Sequence, residues 1–229
     1  MAPEAFRRHI AYDIGAAGVT RRLAALLSCP AVLTTFSRLL IDPNRGADDP
    51  TLIMRISDGA VVPGNARINA EEIERRRRAF WQPYRDRVGA FLDDMLAVGP
   101  VPAIVAIHSF TPAWKGHKRP WHIGILWDAD DRLASPTIAA LKAGDQIVVG
   151  DNEPYDGALE GDTMYHHGTM RGLPHILVEI RQDLVADAAG EAAWAERLAR
   201  VLRPILADPA LHAVKHYGTR THLTLCGAG

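Results

Sequence analysis

From residue 3 to 27, the apolar positions Phe6, Ile10, Ile14, Val19, Leu23, Leu26 and Leu27 recur at helical spacing, and Pro30 stops the run. Gly15 and Gly18 weaken this helix or admit a neighbouring backbone. Residues 31–36 and 39–41 read as short β-type runs that end at Asp42-Pro43-Asn44-Arg45, where proline blocks further pairing. After a loop rich in Asp, Gly and Pro, Asn69 and Glu72 form an N-cap pair for a helix reaching Val98, with a kink predicted at Pro83.

The second half alternates differently. Residues 103–109, 121–127, 146–150 and 175–180 are near-continuous apolar runs of strand length, the pattern of strands buried on both faces. Helical stretches at 135–143 and 161–167 lie between them, and a strongly amphipathic helix follows at 188–206. Buried strands alternating with helices predict an α/β domain with a mainly parallel sheet covered on both sides. No repeat or linker divides the chain, so residues 1–229 are read as a single domain.

Composition narrows the function classes. A net charge of −1 excludes the broad basic field of a nucleic-acid binder. No apolar run approaches the roughly 18 residues of a membrane span, and the first residues are polar and amphipathic, unlike a signal peptide. Cys29 and Cys226 lie far apart in unlike settings, which argues against a disulfide framework or a Cys-based zinc site. A cytoplasmic protein is expected.

Ligands of open α/β sheets bind beyond strand ends, and three polar features stand there. His108-Ser109 closes one apolar run; the imidazole is either a metal ligand or proton carrier, or a buried His bonded to a carbonyl. Glu179, inside Ile176-Leu-Val-Glu-Ile-Arg181, is a carboxylate whose burial would raise its pKa toward that of a general base; the alternative is an ion pair with Arg181 or Arg38. Asn44-Arg45 offers an amide and a guanidinium for a carboxylate, or is an ordinary turn with a surface Arg. His117-Lys118-Arg119 and Trp121-His122 could rim a pocket, whereas Arg75 to Arg78 read as a solvated helix face, the adjacent His166-His167 cannot share one helical face as a metal pair does, and His212/His216 read as a surface pair.

Ser37-Arg-Leu-Leu-Ile-Asp-Pro-Asn-Arg45, His108-Ser-Phe-Thr-Pro112, Arg119-Pro-Trp-His-Ile-Gly124, Asn152-Glu-Pro-Tyr155 and Arg171-Gly-Leu-Pro-His-Ile-Leu-Val-Glu-Ile-Arg-Gln-Asp-Leu184 together resemble the N-formylglutamate amidohydrolase family. The opening Arg8-His-Ile-Ala-Tyr-Asp-Ile-Gly-Ala16 fits it as well. The resemblance implies a three-layer α/β/α fold around a mixed sheet, of the zinc-exopeptidase-like (phosphorylase/hydrolase-like) type. It also implies hydrolysis of the amide of a small N-formyl or N-acyl amino acid by a zinc-bound water. In that reading Asp13, on the first helix, and His108 hold Zn²⁺, Asn44 and Arg45 grip the substrate carboxylate, and Glu179 carries the proton. Arg181 and His122 support the substrate or oxyanion side. Family members begin with a strand and a His-Ala-Ser-Asn-like loop that supplies a further ligand. Twelve residues precede Asp13 here, so the resemblance predicts weakened zinc binding, with His9 as a conceivable substitute, and a carboxylate-binding, non-catalytic relative is the competing expectation. Lack of an edge strand would also leave a sheet edge open to self-association.

Overall fold

The computed structural model describes residues 11–144 and 146–221. Phe6, His9, Ile10 and Cys226 lie outside those residues, so their predicted placements do too. Helix α1 (Ala16–Leu27) starts after Gly15, whose φ of 75° is left-handed and suits glycine. A Cβ at Gly15 would collide with the Val185 carbonyl, so only glycine fits there, and its left-handed backbone begins α1 afresh. Asp13 therefore lies in the turn before α1 and not on it, which corrects the helical placement predicted from periodicity.

Residues 31–36 and 39–41 form no strand. Leu39 and Ile41 are buried as their pattern suggests, but the backbone finds its partners in turns. Arg38 N donates to Ala11 O (3.1 Å), Leu40 N to Ser37 O (2.9 Å) and Asp42 N to Leu52 O (2.8 Å). Burial of alternate apolar residues thus occurs without a ladder, because any satisfied backbone geometry suffices. A small hairpin follows, β1 (Ile56–Ser57) with β2 (Ala60–Val61).

Asn69 caps α2 (Ala70–Arg76) by accepting from Glu72 N at 2.9 Å. The predicted kink at Pro83 is realised as a π-helical turn over Arg77–Trp81, after which α3 (Gln82–Val98) begins with Pro83 in its first turn. Proline donates no hydrogen bond and crowds the preceding turn, and widening that turn accommodates it.

The remaining elements are β3 (Ile104–Phe110), the hairpin β4 (Ala113–Trp114) and β5 (His117–Lys118), β6 (Ile123–Leu126), α4 (Ala134–Gly144), β7 (Val149–Asp151), α5 (Thr163–His167), β8 (His175–Arg181) and α6 (Ala188–Leu206). The main sheet has the order β3-β8-β6-β7. β3 pairs parallel with β8, β6 pairs parallel with β7, and β6 runs antiparallel to β8. The sheet is therefore mixed, with a mostly parallel character.

Alternation along β8 sends Ile176, Val178 and Ile180 to one face, where they pack with Val19 and Leu23 of α1, Ile138 and Leu141 of α4, and Trp194, Leu198 and Leu202 of α6. Burial of each such side chain stabilises the fold by roughly 1.5–3 kcal/mol. Leu177 points to the other face, against Leu126, Ala106 and Met164 of α5. Beyond it, Trp81, Ile41, Leu52 and Ile53 form a separate cluster. No described helix is long and apolar enough to cross a membrane.

Candidate active site

His108 on β3, Glu179 on β8 and Gly124 on β6 are direct neighbours across three strands. They share the face of Ala106 and Leu177, so their row opens toward the α5 side of the sheet. Gly124 has a spatial reason to be glycine: a Cβ there would collide with the Glu153 carbonyl, which lies against the sheet beside Glu179. The loop after β7 thereby covers one flank of the row.

From the opposite flank, Asp13 reaches His108, with Oδ2 2.6 Å from Nδ1. Burial alone would lower the His108 pKa, yet the hydrogen bond and charge of Asp13, with Glu179 beyond, hold it up at about 9. Burial pushes Asp13 up in turn, but the hydrogen bond and charge of His108, together with Arg38, bring it below its ordinary value. Arg38 links two carboxylates. Its Nε and Nη2 donate to Asp42 Oδ2 at 3.1 and 2.6 Å, and its Nη1 lies 3.4 Å from Asp13 Oδ1.

Glu179 is 8% exposed, and its Oε2 has no hydrogen-bond partner among the described residues. Burial raises its pKa to about 7; His108 opposes this, Asp13 adds to it, and Arg38 and Arg119 oppose it. No ion pair joins it to Arg38 or Arg181 within salt-bridge distance among the described residues. A buried carboxylate with its pKa raised and an oxygen left unpartnered is chemically able to accept a proton.

Asn44 and Arg45 sit on a loop pinned from several sides. Asp42 Oδ1 accepts from Asn44 N (3.0 Å), Asn44 Oδ1 accepts from Thr163 N (3.2 Å), and Trp81 Nε1 donates to Arg45 O (3.0 Å). The Asn44 amide oxygen is thus already engaged, and the half-buried Arg45 guanidinium approaches Asp49 no closer than 4.0 Å. Asp162 caps α5 by accepting from Tyr165 N at 2.7 Å. Burial lifts Asp162 to about 6, against the Tyr165 N–H and the charges of His108 and Arg45, so it shares their electrostatic neighbourhood.

Two predicted residues are not brought into this cluster. Arg181 gives Nε and Nη2 to Asp183 (2.8 and 3.2 Å) and Nη1 to Trp121 O (3.3 Å). His122 Nδ1 accepts from Val148 N at 2.9 Å at the strand edge. Both secure the strand ends. Ser109 is likewise structural, its carbonyl accepting from Gln182 Nε2 at 3.2 Å.

Asp13 and His108 supply the carboxylate and imidazole donors that zinc takes, side by side at a strand end, and the unpartnered Glu179 oxygen is their neighbour. The donor types are those zinc takes, but here they hydrogen-bond to each other, and metal binding would have to displace the proton they share. The number reaches two, since no group of three His, Cys, Asp or Glu suited to an ion occurs among the described residues, whereas catalytic zinc usually has three protein ligands.

The fold is thus a mixed α/β sheet that carries a buried carboxylate and an Asp–His pair near its strand ends. The chain belongs to the N-formylglutamate amidohydrolase family, whose model matches residues 1–186, and is accordingly an amide-hydrolysing enzyme. Among solved structures it is similar to gene product Atu2144 from Agrobacterium tumefaciens, at 33% identity over 90% of this chain and 82% of that chain, with a TM-score of 0.86. An N-formylglutamate amidohydrolase from Ralstonia eutropha JMP134 shares the fold, at 20% identity over 83% of this chain and 85% of that one, with a TM-score of 0.56. No curated protein matches.

Proposed function

We propose that the chain hydrolyses the amide bond of an N-formyl or N-acyl amino acid, with Glu179 taking a proton from the attacking water and passing it to the leaving amine. The observation that carries this reading is the buried Glu179 carboxylate, poised at about 7 and with one oxygen unpartnered, in register beside His108. A base with a pKa near the working pH combines availability with driving force for proton transfer.

Asp13 and His108 are the side chains that would hold a zinc ion. Bound zinc supplies Lewis acidity toward the carbonyl and lowers the pKa of water to about 7. Arg45, on its pinned loop, takes the substrate carboxylate, aided by the Asn44 amide. Holding the carboxylate at a fixed point orients the scissile amide over Glu179, which is the entropic part of the rate enhancement. The Glu153 backbone over Gly124 limits water on the flank next to Glu179.

The test is release of formate from N-formyl-L-glutamate by chelator-treated protein as zinc is added back. Zinc-dependent turnover that is lost in both Asp13→Ala and His108→Ala supports the assignment. Zinc-independent turnover, or full activity in those variants, refutes the metal role. Binding of the ligand with no formate released would indicate the carboxylate-binding, non-catalytic reading instead.

A further inference from the structure

We propose that Arg220, on segment 212–221, is a positioning residue for the reaction: it holds loop 152–157 against the sheet, and that loop walls the row of His108, Glu179 and Gly124. The proposal rests on the hydrolytic reading above and deepens it.

The loop starts and ends beside the far end of β6 and reaches the site in between. Asn152 closes its root: the backbone N donates to Ile125 O (3.0 Å), and Oδ1 accepts from Trp127 N (2.9 Å) and Gly157 N (3.0 Å). From that root the Glu153 carbonyl folds back over Gly124 and Gly150, which are register neighbours on β6 and β7. A Cβ on either glycine would collide with it. Gly124 is in turn the register neighbour of Glu179, so the carbonyl stands on the flank of the proposed base. Tyr155 then reaches toward β3, where its Oη accepts from Arg119 Nη1 (3.0 Å), which also donates to Thr111 Oγ1 (3.2 Å).

Segment 212–221 has no helix or strand and crosses the sheet at the end opposite the row. His212 Nδ1 lies 2.7 Å from Val101 O ahead of β3, and Lys215 N donates to Gly172 O (2.8 Å) ahead of β8. Arg220 N donates to Asp128 Oδ1 (2.7 Å) beyond β6. Its guanidinium gives Nε to Asp128 O (3.0 Å) and Nη2 to Trp127 O (2.6 Å), and its fork takes the Asp156 carboxylate with Nη1 at 3.1 Å and Nη2 at 2.6 Å. Burial would raise the Asp156 pKa, but the Arg220 hydrogen bond holds it below its ordinary value. Trp127 is roughly 10 Å along the strand from Gly124, so Arg220 acts on the site only through the loop.

The Asn44-Arg45 clamp belongs to a different loop, held by Thr163 and Trp81. Loosening loop 152–157 therefore disturbs alignment over Glu179 and leaves the grip on the substrate intact, so kcat should fall while KM holds.

The test measures formate release from N-formyl-L-glutamate, and hydrogen–deuterium exchange over residues 152–157, in Arg220→Gln, Arg220→Lys and Asp156→Asn protein. Asp156→Asn cuts the fork from the loop's side and leaves the bonds of Arg220 to Trp127 and Asp128 in place, so it serves even if Arg220→Gln does not fold. Arg220→Gln and Asp156→Asn should each lower kcat by roughly 5- to 20-fold with KM within about two-fold, the scale of one charge-assisted pair. Exchange should quicken by roughly 10-fold over 152–157 and stay unchanged over 42–46. Arg220→Lys should recover part of both effects, and combining Arg220→Gln with Asp156→Asn should add little to either alone. Unchanged exchange over 152–157 overturns the proposal whatever the turnover, and so does faster exchange with an unchanged kcat. Equal loosening of 42–46 overturns it as well, since that marks a pin on the fold as a whole. If the wild type releases no formate, loosening limited to 152–157 in the variants upholds the brace and refutes the hydrolytic reading instead.

Discussion

The carboxylate of Asp13 lies 2.6 Å from Nδ1 of His108, across a sequence separation of 95 residues. This contact fastens the turn before α1 to the end of β3, so the candidate site forms only when the tertiary fold does. It also sets the protonation of His108, which gives a direct test. In Asp13→Asn, the His108 pKa should fall from about 9 toward the ordinary 6.5, read by NMR titration of its ring protons. A value still near 9 would show that another group holds the proton. The same linkage has a stability consequence. Because the folded pKa is raised, the pair's contribution is complete below about pH 6.5 for as long as Asp13 stays ionised, and is lost as pH rises through about 9.

Arg38 joins Asp42 to Asp13, and the Asp42 side chain is 3% exposed. Arg38→Met leaves that buried carboxylate without its cation, and loss of about 2–4 kcal/mol is expected by analogy with other broken buried pairs. Adding Asp42→Asn should recover part of the loss. Urea unfolding of the two single variants and the double variant measures the coupling; strictly additive losses would contradict the pairing.

His167 is 1% exposed, and neither ring nitrogen has a partner among the described residues. Burial lowers its pKa to about 4, helped by His166, Arg85 and Arg171. Its folded pKa is below the ordinary 6.5, so the unfolded chain binds the proton more tightly between those values, and stability falls as pH drops through that window. His167→Leu should remove this acid sensitivity and leave stability at neutral pH unchanged or ~1 kcal/mol higher. Urea midpoints at pH 7 and pH 5 decide the matter; the same pH dependence in the variant would disprove it.

Trp81 Nε1 holds the Arg45 carbonyl from the π-helical turn. Trp81→Phe removes that hydrogen bond while keeping most of the ring. KM is expected to rise by roughly 3- to 10-fold with kcat little changed, because about 1 kcal/mol of positioning is lost from the carboxylate clamp. A fall in kcat at unchanged KM would place Trp81 elsewhere in the chemistry.

That His108 and Glu179 lie on buried strands was legible in the sequence, because the one closes and the other interrupts an apolar run of strand length. Their direct register was not, since nothing local fixes how β3 aligns with β8. The antiparallel β6 was likewise hidden: a strand buried on both faces reads the same in either direction. Asp13 was misplaced by periodicity because the left-handed turn at Gly15 interrupts the helical pattern without altering its spacing. Residues 31–41 misled for a related reason, with apolar side chains buried from turns. Asp162 acquires its surroundings from distant segments, so its local sequence carried little sign of a site, whereas His117-Lys118-Arg119 already read as a pocket rim. Arg181, two residues from Glu179 on one strand face, looked like its partner but is drawn to Asp183.

Glu179→Gln tests the central claim most directly. The substitution keeps shape and removes the base, and because Oε2 has no partner to lose, the melting temperature should stay the same or rise. Formate release from N-formyl-L-glutamate in zinc-supplemented buffer should fall by roughly 10²- to 10⁴-fold relative to wild type. Equal turnover by a folded variant would show that Glu179 does not carry the proton.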